Sequence, residues 1–125
     1  MPVLNIIAIG GGGFTHGTHP SLDDFCLHQT GKDQPAVGYI GTASQDDPVK
    51  AERFQSRFVL GSRRLVDLPM DLSARALTAE LKTLDLVYVG GGDTEAMVAY
   101  WRNAGWDQVL MDAARNGLAL AGVSA

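Results

Sequence analysis

Leu118-Ala119-Leu120-Ala121-Gly122-Val123-Ser124-Ala125, at the end of the 125-residue sequence, is the stretch from which the fold can be worked out. An apolar run ends in a small residue, one spacer, a serine and another small residue. This order is typical of a nucleophile elbow, where a buried strand turns sharply and leaves a serine hydroxyl exposed at the rim of an α/β sheet. Small neighbours suit that turn because they tolerate strained backbone angles. We therefore interpret Ser124 as a candidate nucleophile.

Strands and helices alternate through the rest of the sequence. Apolar, β-branched runs predict strands at 3–9, 36–41, 64–68, 84–89 and 118–122. Amphipathic stretches predict helices from residue 20 to a stop at Gly31, over 48–59, over 73–82, and as two consecutive helices separated by Gly105. This order predicts an α/β fold with right-handed crossovers, in which about five strands form an open, mostly parallel sheet with helices on both faces.

Composition and charge exclude several classes of protein. The net charge is −4, and no basic cluster is larger than Arg63-Arg64, so we predict no nucleic-acid partner. No apolar run approaches the roughly 20 residues that span a bilayer, and no basic region precedes the first apolar segment. We therefore expect a single cytoplasmic domain over residues 1–125 with no membrane association. The one cysteine, Cys26, lies on an apolar helical face and is predicted to be a buried small hydrophobe.

Four loops follow the predicted strands and should meet at one edge of the sheet, where ligands bind in open parallel sheets. They are 10–13, 42–44, 90–94 and 123–125. Glycines let backbone N–H groups approach a developing oxyanion, which each donor can stabilise enough to contribute about 10²–10³ in rate. Gly90-Gly91-Gly92 and Gly122-Val123-Ser124-Ala125 together are therefore consistent with an oxyanion hole and its nucleophile.

The glycine run 10–13 leaves two other interpretations open, a phosphate or nucleotide site and a simple tight turn. A Gly-x-Gly-x-x-Gly frame that starts at Gly10 has Thr15 in its third glycine position, and one that starts at Gly11 has His16 there. No Gly-Lys-Ser/Thr follows either glycine run. A nucleotide-binding domain is therefore only a third hypothesis.

Histidines at the same edge could supply a base or metal ligands. His16 and His19 lie in the first loop, whereas His28 lies in a helix and is predicted to face solvent. Two histidines without a third ligand are a weak indication of a metal, so no metal and no cofactor are predicted. Asp46 and Asp47 are interpreted as charges at a helix start rather than as an acid/base couple.

The order of these motifs resembles the peptidase E family of serine peptidases, peptidase family S51, and in particular its uncharacterised bacterial branch, which is related to cyanophycinase. The motifs that carry the resemblance are Ala8-Ile9-Gly10-Gly11-Gly12, Leu22-Asp23-Asp24-Phe25, Gly41-Thr42-Ala43-Ser44, Val89-Gly90-Gly91-Gly92-Asp93-Thr94 and Leu120-Ala121-Gly122-Val123-Ser124-Ala125. The resemblance implies a class I glutamine amidotransferase-like fold with serine in place of cysteine. It also implies hydrolysis of short peptides, typically Asp-containing dipeptides.

The resemblance assigns roles to individual positions. Ser124 matches the catalytic nucleophile, and the amides of Gly91, Gly92 and Ala125 match the oxyanion donors. Asp93, where many relatives have asparagine, is assigned with Thr94 and Thr42 to the substrate side, although the loop of Thr42 could equally serve as a turn and helix cap. The family's catalytic histidine and acid follow the elbow. The sequence is thus expected to be truncated just after its elbow and nearly inert alone, because an unassisted serine hydroxyl is a poor nucleophile.

A catalytically incomplete binding or assembly module with the same fold is the main alternative. A sheet that stops at the elbow strand should leave the far side of residues 118–122 unpaired, and unpaired apolar strands invite association. We therefore predict that the chain self-associates, or pairs with a complementary chain, through the strand from Leu118 to Gly122.

Overall fold

The computed structural model describes residues 4–9 and 20–123, and these form the alternating α/β chain that the sequence predicts. The strands are β1 (Asn5–Ile9), β2 (Ala36–Ile40), β3 (Arg64–Asp67), β4 (Leu86–Val89) and β5 (Ala119–Val123). The helices are α1 (Pro20–His28), α2 (Pro48–Phe58), α3 (Ala74–Leu81), α4 (Thr94–Ala104) and α5 (Trp106–Arg115). Short 3-10 turns over Thr42–Ser44 and Val59–Gly61 were not predicted.

All five strands are parallel and form one sheet in the order β1-β5-β4-β2-β3. The expected open parallel sheet is therefore confirmed. One expectation about it is wrong, because β5 has no unpaired side. Ile7 pairs with Ala121 on one side of β5, and Tyr88 pairs with Ala121 on the other. Association through the edge of this strand would need to displace β1 or β4, although whether the chain associates at all remains a prediction.

Helices cover both faces of the sheet, as predicted. On one face, α1 and α2 pack over alternate residues of the strands and bury Cys26, Phe54 and Phe58 beneath them. On the other face, α3, α4 and α5 pack over residues of β2, β3, β4 and β5, and Trp106 and Leu110 are buried among them. β2, β3, β4 and β5 therefore each contribute to two apolar cores, which explains why their sequences are apolar rather than alternating. β1 contributes Ile7 and Ile9 to the first core only.

Side-chain caps and one glycine set the helix boundaries. Asp47, Ser73 and Asp93 each accept a hydrogen bond from an N–H group in the first turn of α2, α3 and α4, respectively. Gly105 has φ of 77°, a left-handed angle that favours glycine, and it both ends α4 and precedes α5. The consecutive helices predicted around Gly105 are confirmed.

Asp23 behaves differently from the dipole-stabilising acid that its position near the start of α1 indicates. Its side chain is fully buried, and Oδ2 lies 3.1 Å from Nε of Arg57 in α2. The guanidinium of Arg57 also reaches Oδ1 of the exposed Asp24, 2.8 Å from Nη2. An ion pair therefore links α1 to α2 across the outer side of the core. Cys26 is buried as predicted, and burial, reinforced by the charge of Asp23, raises the pKa of its thiol to about 11.

None of the helices within residues 20–123 is both long and apolar enough to cross a membrane. The cytoplasmic location remains a prediction.

Candidate functional site

Two of the four predicted loops meet at the carboxyl edge of the sheet. Ile40 of β2 pairs with Val89 of β4, which in turn pairs with Gly122 of β5, so the chain leaves all three strands at the same level. The loops that begin at Gly41 and Gly90 are therefore neighbours, as the sequence predicts. The first glycine loop with His16 and His19, the predicted nucleophile Ser124 and the predicted donor Ala125 lie outside the described residues.

Three hydrogen bonds hold the glycine loop 90–93 against β2, the turn Thr42–Ser44 and α2. The N–H of Gly90 donates to the carbonyl of Ile40 at 2.9 Å, and the N–H of Asp93 donates to the carbonyl of Ala43 at 2.7 Å. Between them, the ammonium of Lys50 donates to the carbonyl of Gly91 at 3.2 Å. The loop is thus fixed at both ends and at its middle before any ligand arrives.

Glycine is required at two positions of this loop by close contacts. A Cβ atom at Gly90 would lie 2.5 Å from the hydroxyl of Tyr39, and one at Gly92 would lie 2.2 Å from the carbonyl oxygen of Ala43. Gly92 also has φ of 150°, which other residues rarely adopt. The glycines therefore allow the loop to lie directly on the neighbouring turn, Thr42–Ser44.

The N–H groups of Gly91 and Gly92 donate no hydrogen bond to any acceptor within residues 4–9 and 20–123. Buried amides are usually hydrogen-bonded, and Gly91 is buried whereas Gly92 is exposed. Two consecutive amides beside the end of a central strand can bind an anion or a developing oxyanion. This pair is the chemically most specific feature of the described rim.

The residues predicted to face the substrate have structural contacts here. The carboxylate of Asp93 caps α4 by accepting from the N–H of Ala96 at 3.0 Å, and the following Thr94 is exposed as the first residue of that helix. The buried hydroxyl of Thr42 accepts from the indole N–H of Trp101 at 3.1 Å. The turn-and-cap interpretation accounts for these contacts, and contact of the three residues with a substrate remains a prediction.

Tyr39 lies beneath the rim, a role that the sequence analysis missed. Its ring contacts the positions of both Gly41 and Gly90, and it stacks on Phe54 with ring centroids 4.9 Å apart. Burial, reinforced by the charge of Asp67, raises the pKa of Tyr39 to about 12, although a hydrogen bond with Ser44 acts in the opposite direction. The phenol is therefore neutral at physiological pH and serves as a rigid base for the two loops. A tyrosine near the carboxyl end of an otherwise apolar strand is the one sequence feature that could have indicated it.

Backbone strain also concentrates at this edge. Gln45 and Asp46 follow the turn with φ of 54° and 57°, left-handed angles that cost non-glycine residues about 1–3 kcal/mol each. Asp46 is held there because its carboxylate accepts from the N–H of Met70 at 2.8 Å and its own N–H donates to Gly41 at 2.9 Å. Asp47 caps α2 and Asp46 directly precedes it, so both acids lie at the helix start as the sequence predicts.

A cavity of about 600 Å³ lies at the opposite, amino edge of the sheet. Asp85 lies on its wall and pairs with Lys32 at 2.7 Å and with Arg63 at 3.4 Å. Burial alone would raise the pKa of Asp85, but hydrogen bonds from Lys32 and the N–H of Ala36, with the two cationic charges, lower it below its usual value. The glycine loop does not line this cavity, and Asp85, Lys32 and Asp112 on its wall already have partners, so we place the candidate site at the carboxyl rim. Across residues 4–9 and 20–123, no three or more His, Cys, Asp or Glu side chains form a metal-binding group.

The sheet and the loops at its carboxyl edge define the structural class of the protein. This is an open parallel α/β protein whose pre-formed amides lie at the carboxyl edge, where proteins of this architecture bind ligands. The chain belongs to peptidase family S51, whose family model matches residues 6–125. The resemblance based on the glycine loop and the elbow is thereby confirmed.

Individual relatives extend this assignment. The chain is 36% identical over 126 residues to the uncharacterized peptidase YgaJ of Bacillus subtilis (strain 168), covering 96% of this chain and 53% of that protein. The fold of this chain is similar to that of a protein of Listeria monocytogenes EGD-e whose crystal structure is described as that of a candidate peptidase E. The TM-score is 0.75 at 21% identity, over 96% of this chain and 58% of that one. A peptidase from an acI-B1 Actinobacterium gives a TM-score of 0.76 at 18% identity, over 94% of this chain and 52% of that one. The chain thus spans about half the length of these relatives.

Proposed function

We propose that this chain supplies the nucleophile and the oxyanion-binding loop of a serine-type peptidase that hydrolyses short peptides. One observation carries the proposal. The N–H groups of Gly91 and Gly92 donate to no acceptor within the described residues, and they lie beside the end of β5. Ser124 directly follows the last residue of β5 in the sequence. Membership of a peptidase family supports the same assignment.

The reaction would be acyl transfer. Oγ of Ser124 attacks the peptide carbonyl, its proton passes to a histidine outside these 125 residues, and the carbonyl oxygen becomes an oxyanion. The amides of Gly91, Gly92 and Ala125 donate to that oxyanion, the C–N bond breaks as the amine takes up the proton, and water then hydrolyses the acyl-serine. Asp-containing dipeptides are the proposed substrates, with Asp93, Thr94 and Thr42 on the substrate side.

The test compares two proteins and one substitution. The 125-residue chain and a version joined to the part of the Bacillus subtilis relative that it does not span are assayed with an Asp-containing dipeptide analogue. The chain alone should be nearly inert, whereas the joined version should turn over substrate. Ser124→Ala should abolish that turnover, and Ser56→Ala is the matched control, because it removes a hydroxyl from an exposed residue of α2 that has no proposed role in the site. Turnover that persists after Ser124→Ala would overturn the proposal.

A binding or assembly module is the second candidate, and one observation favours it. Leu4 and Ile6 are 48% and 59% exposed at the β1 end of the sheet, which leaves apolar surface uncovered. Such surface is typical of a contact with another polypeptide. The proposed partner is a second copy or a complementary chain. A joined protein that folds but shows no Ser124-dependent turnover would favour this candidate over the peptidase.

A further inference from the structure

Lys50 connects α2 to the glycine loop, yet nothing in the family resemblance assigns it a role. Its side chain is half-buried, and Nζ donates to the carbonyl oxygen of Gly91 at 3.2 Å. The other two anchors of the loop, at Gly90 and Asp93, are backbone hydrogen bonds. Lys50 is thus the side chain in the described part of the molecule that holds the middle of the loop.

Because of the geometry of the peptide unit, the contact between Lys50 and the carbonyl of Gly91 also fixes the direction of the Gly92 N–H. In a trans peptide the carbonyl of Gly91 and the N–H of Gly92 belong to one plane and point in opposite directions. An ammonium that binds the carbonyl therefore directs the N–H to the other side of the loop. It also polarises the peptide unit, because hydrogen bonds to a charged donor are stronger than neutral ones and strengthen their neighbours.

A lysine at position 50 destabilises α2 slightly, so the stability of the helix does not explain why a lysine is present there. Lys50 lies in the first turn of α2, directly after Pro48 and Val49. A cation near a helix N-terminus is unfavourable by about 0.3–1 kcal/mol at exposed sites, because the dipole is positive there. A residue that breaks a local rule where backbone strain also concentrates is expected at functional sites.

We propose that Lys50 is a positioning residue that orients and polarises the Gly91–Gly92 peptide, so that the N–H of Gly92 is a pre-formed oxyanion donor. This inference rests on the proposed peptidase function for its catalytic consequence. Its structural part, that Lys50 fixes the loop, stands independently of that function. Pre-formed donors contribute most because they do not reorganise when the oxyanion forms.

The first test measures the loop in the 125-residue chain by NMR. Lys50→Met should shift the amide resonances of Gly91 and Gly92 and increase their fast backbone motion, whereas Lys50→Arg should largely preserve both. Lys82→Met is the matched control, because it removes the same charge from an exposed residue that follows α3. Unchanged Gly91 and Gly92 resonances in Lys50→Met would overturn the inference, whatever the activity.

The second test measures turnover in the joined version. Loss of one oxyanion donor lowers kcat by about 10²–10³, so Lys50→Met, which misdirects a donor without deleting it, should lower kcat by about 10–100-fold. KM and the pH profile should stay unchanged, Lys50→Arg should recover most of kcat, and Lys82→Met should behave as the unsubstituted protein. A rise in KM confined to acidic substrates would instead make Lys50 a substrate contact and overturn the inference. Absence of Ser124-dependent turnover in the unsubstituted joined protein would overturn the proposed function while leaving the NMR result valid.

Discussion

At the scale of single residues, Gly92 shows how closely the rim is packed, because two separate constraints act on it. Its φ of 150° disfavours a side chain, and a Cβ atom would also lie 2.2 Å from the carbonyl oxygen of Ala43. Gly117 has only the first constraint, since its φ is 104° and nothing lies within 4 Å of an added Cβ. Comparing substitutions at the two glycines therefore distinguishes the cost of backbone strain from the cost of steric clash.

We predict that Gly117→Ala lowers the free energy of unfolding by about 1–2 kcal/mol through backbone strain. Gly92→Ala should lower it by a further 1–3 kcal/mol, roughly the cost of overpacking, because the turn at Ala43 must move. Urea unfolding of both variants measures the difference. Equal losses in the two variants would mean that the loop yields without cost and that Gly92 is not closely packed.

Asp85 gives the fold a pH dependence whose sign follows from its lowered pKa. The ordinary value is 3.8 and the folded value lies below it, so the folded state favours the carboxylate. The stabilisation is complete above about pH 4–5 and is lost as the pH falls through the folded pKa.

Asp85→Asn should therefore destabilise the protein by about 1–2 kcal/mol at pH 7, mainly through weaker bonding to the N–H of Ala36 and to Lys32. The difference from the unsubstituted chain should shrink as the pH falls below about 4, as followed by denaturant unfolding at each pH. Asp112→Asn is the control on the wall of the same cavity, because Asp112 is exposed and bonds within its own helix. A difference for Asp85→Asn that persists unchanged at low pH would refute this account.

At the scale of elements, two carboxylates of α1 contact the same arginine of α2 but differ in burial. Asp23 is fully buried, whereas the side chain of Asp24 is 55% exposed, and both contact the same guanidinium. Removing one partner of a buried pair leaves an uncompensated charge, which typically costs about 3–5 kcal/mol, whereas exposed pairs contribute about 0–1 kcal/mol.

Asp23→Asn is predicted to lower the unfolding free energy by about 1–3 kcal/mol, because it weakens a buried contact while Arg57, itself 29% exposed, keeps Asp24 as a partner. Asp24→Asn should lower it by no more than about 1 kcal/mol. Chemical denaturation at pH 7 measures both. Similar effects of the two substitutions would show that burial does not determine the strength of this contact.

The predicted elements agree with the structure where one local rule decides them. Gly105 marks the boundary between α4 and α5, and Phe54 and Phe58, four residues apart, form the buried side of α2. Local rules fail where a distant residue decides. Asp23 lies in the first turn of α1, where an acid suits the helix dipole, but its side chain is buried against Arg57, 34 positions later.

The candidate site also has one part that the sequence predicts and one part that depends on distant residues. The glycine run 90–92 indicates a ligand loop from sequence alone, because only glycine permits such close backbone approach. Its supports, Tyr39 and Lys50, come from β2 and α2, and their proximity depends on β2 pairing with β4. No spacing in the sequence encodes that pairing, so these residues were missed.

At the scale of the whole molecule, strand order determines which surface is free. β5 lies between β1 and β4, so the outer strands of the described sheet are β1 and β3. The edge at β3 carries the exposed charges Arg64 and Asp67, which discourage pairing with another chain. The edge at β1 carries the exposed Leu4 and Ile6, and none of residues 4–9 is charged. Because β5 is paired on both sides, we move the predicted association surface from β5 to β1.

We predict that the chain forms dimers or larger species at micromolar concentration and that Ile6→Glu shifts the population toward monomer. A carboxylate on the apolar face of β1 would be desolvated in any contact that buries this strand, and burying an unpaired charge is strongly unfavourable. Leu60→Glu is the matched control, because Leu60 is 89% exposed but lies on the 3-10 turn after α2, away from β1. Multi-angle light scattering over a concentration series reads out the mass. If the unsubstituted chain is monomeric throughout, or if both substitutions dissociate it equally, then the uncovered face of β1 is not an association surface.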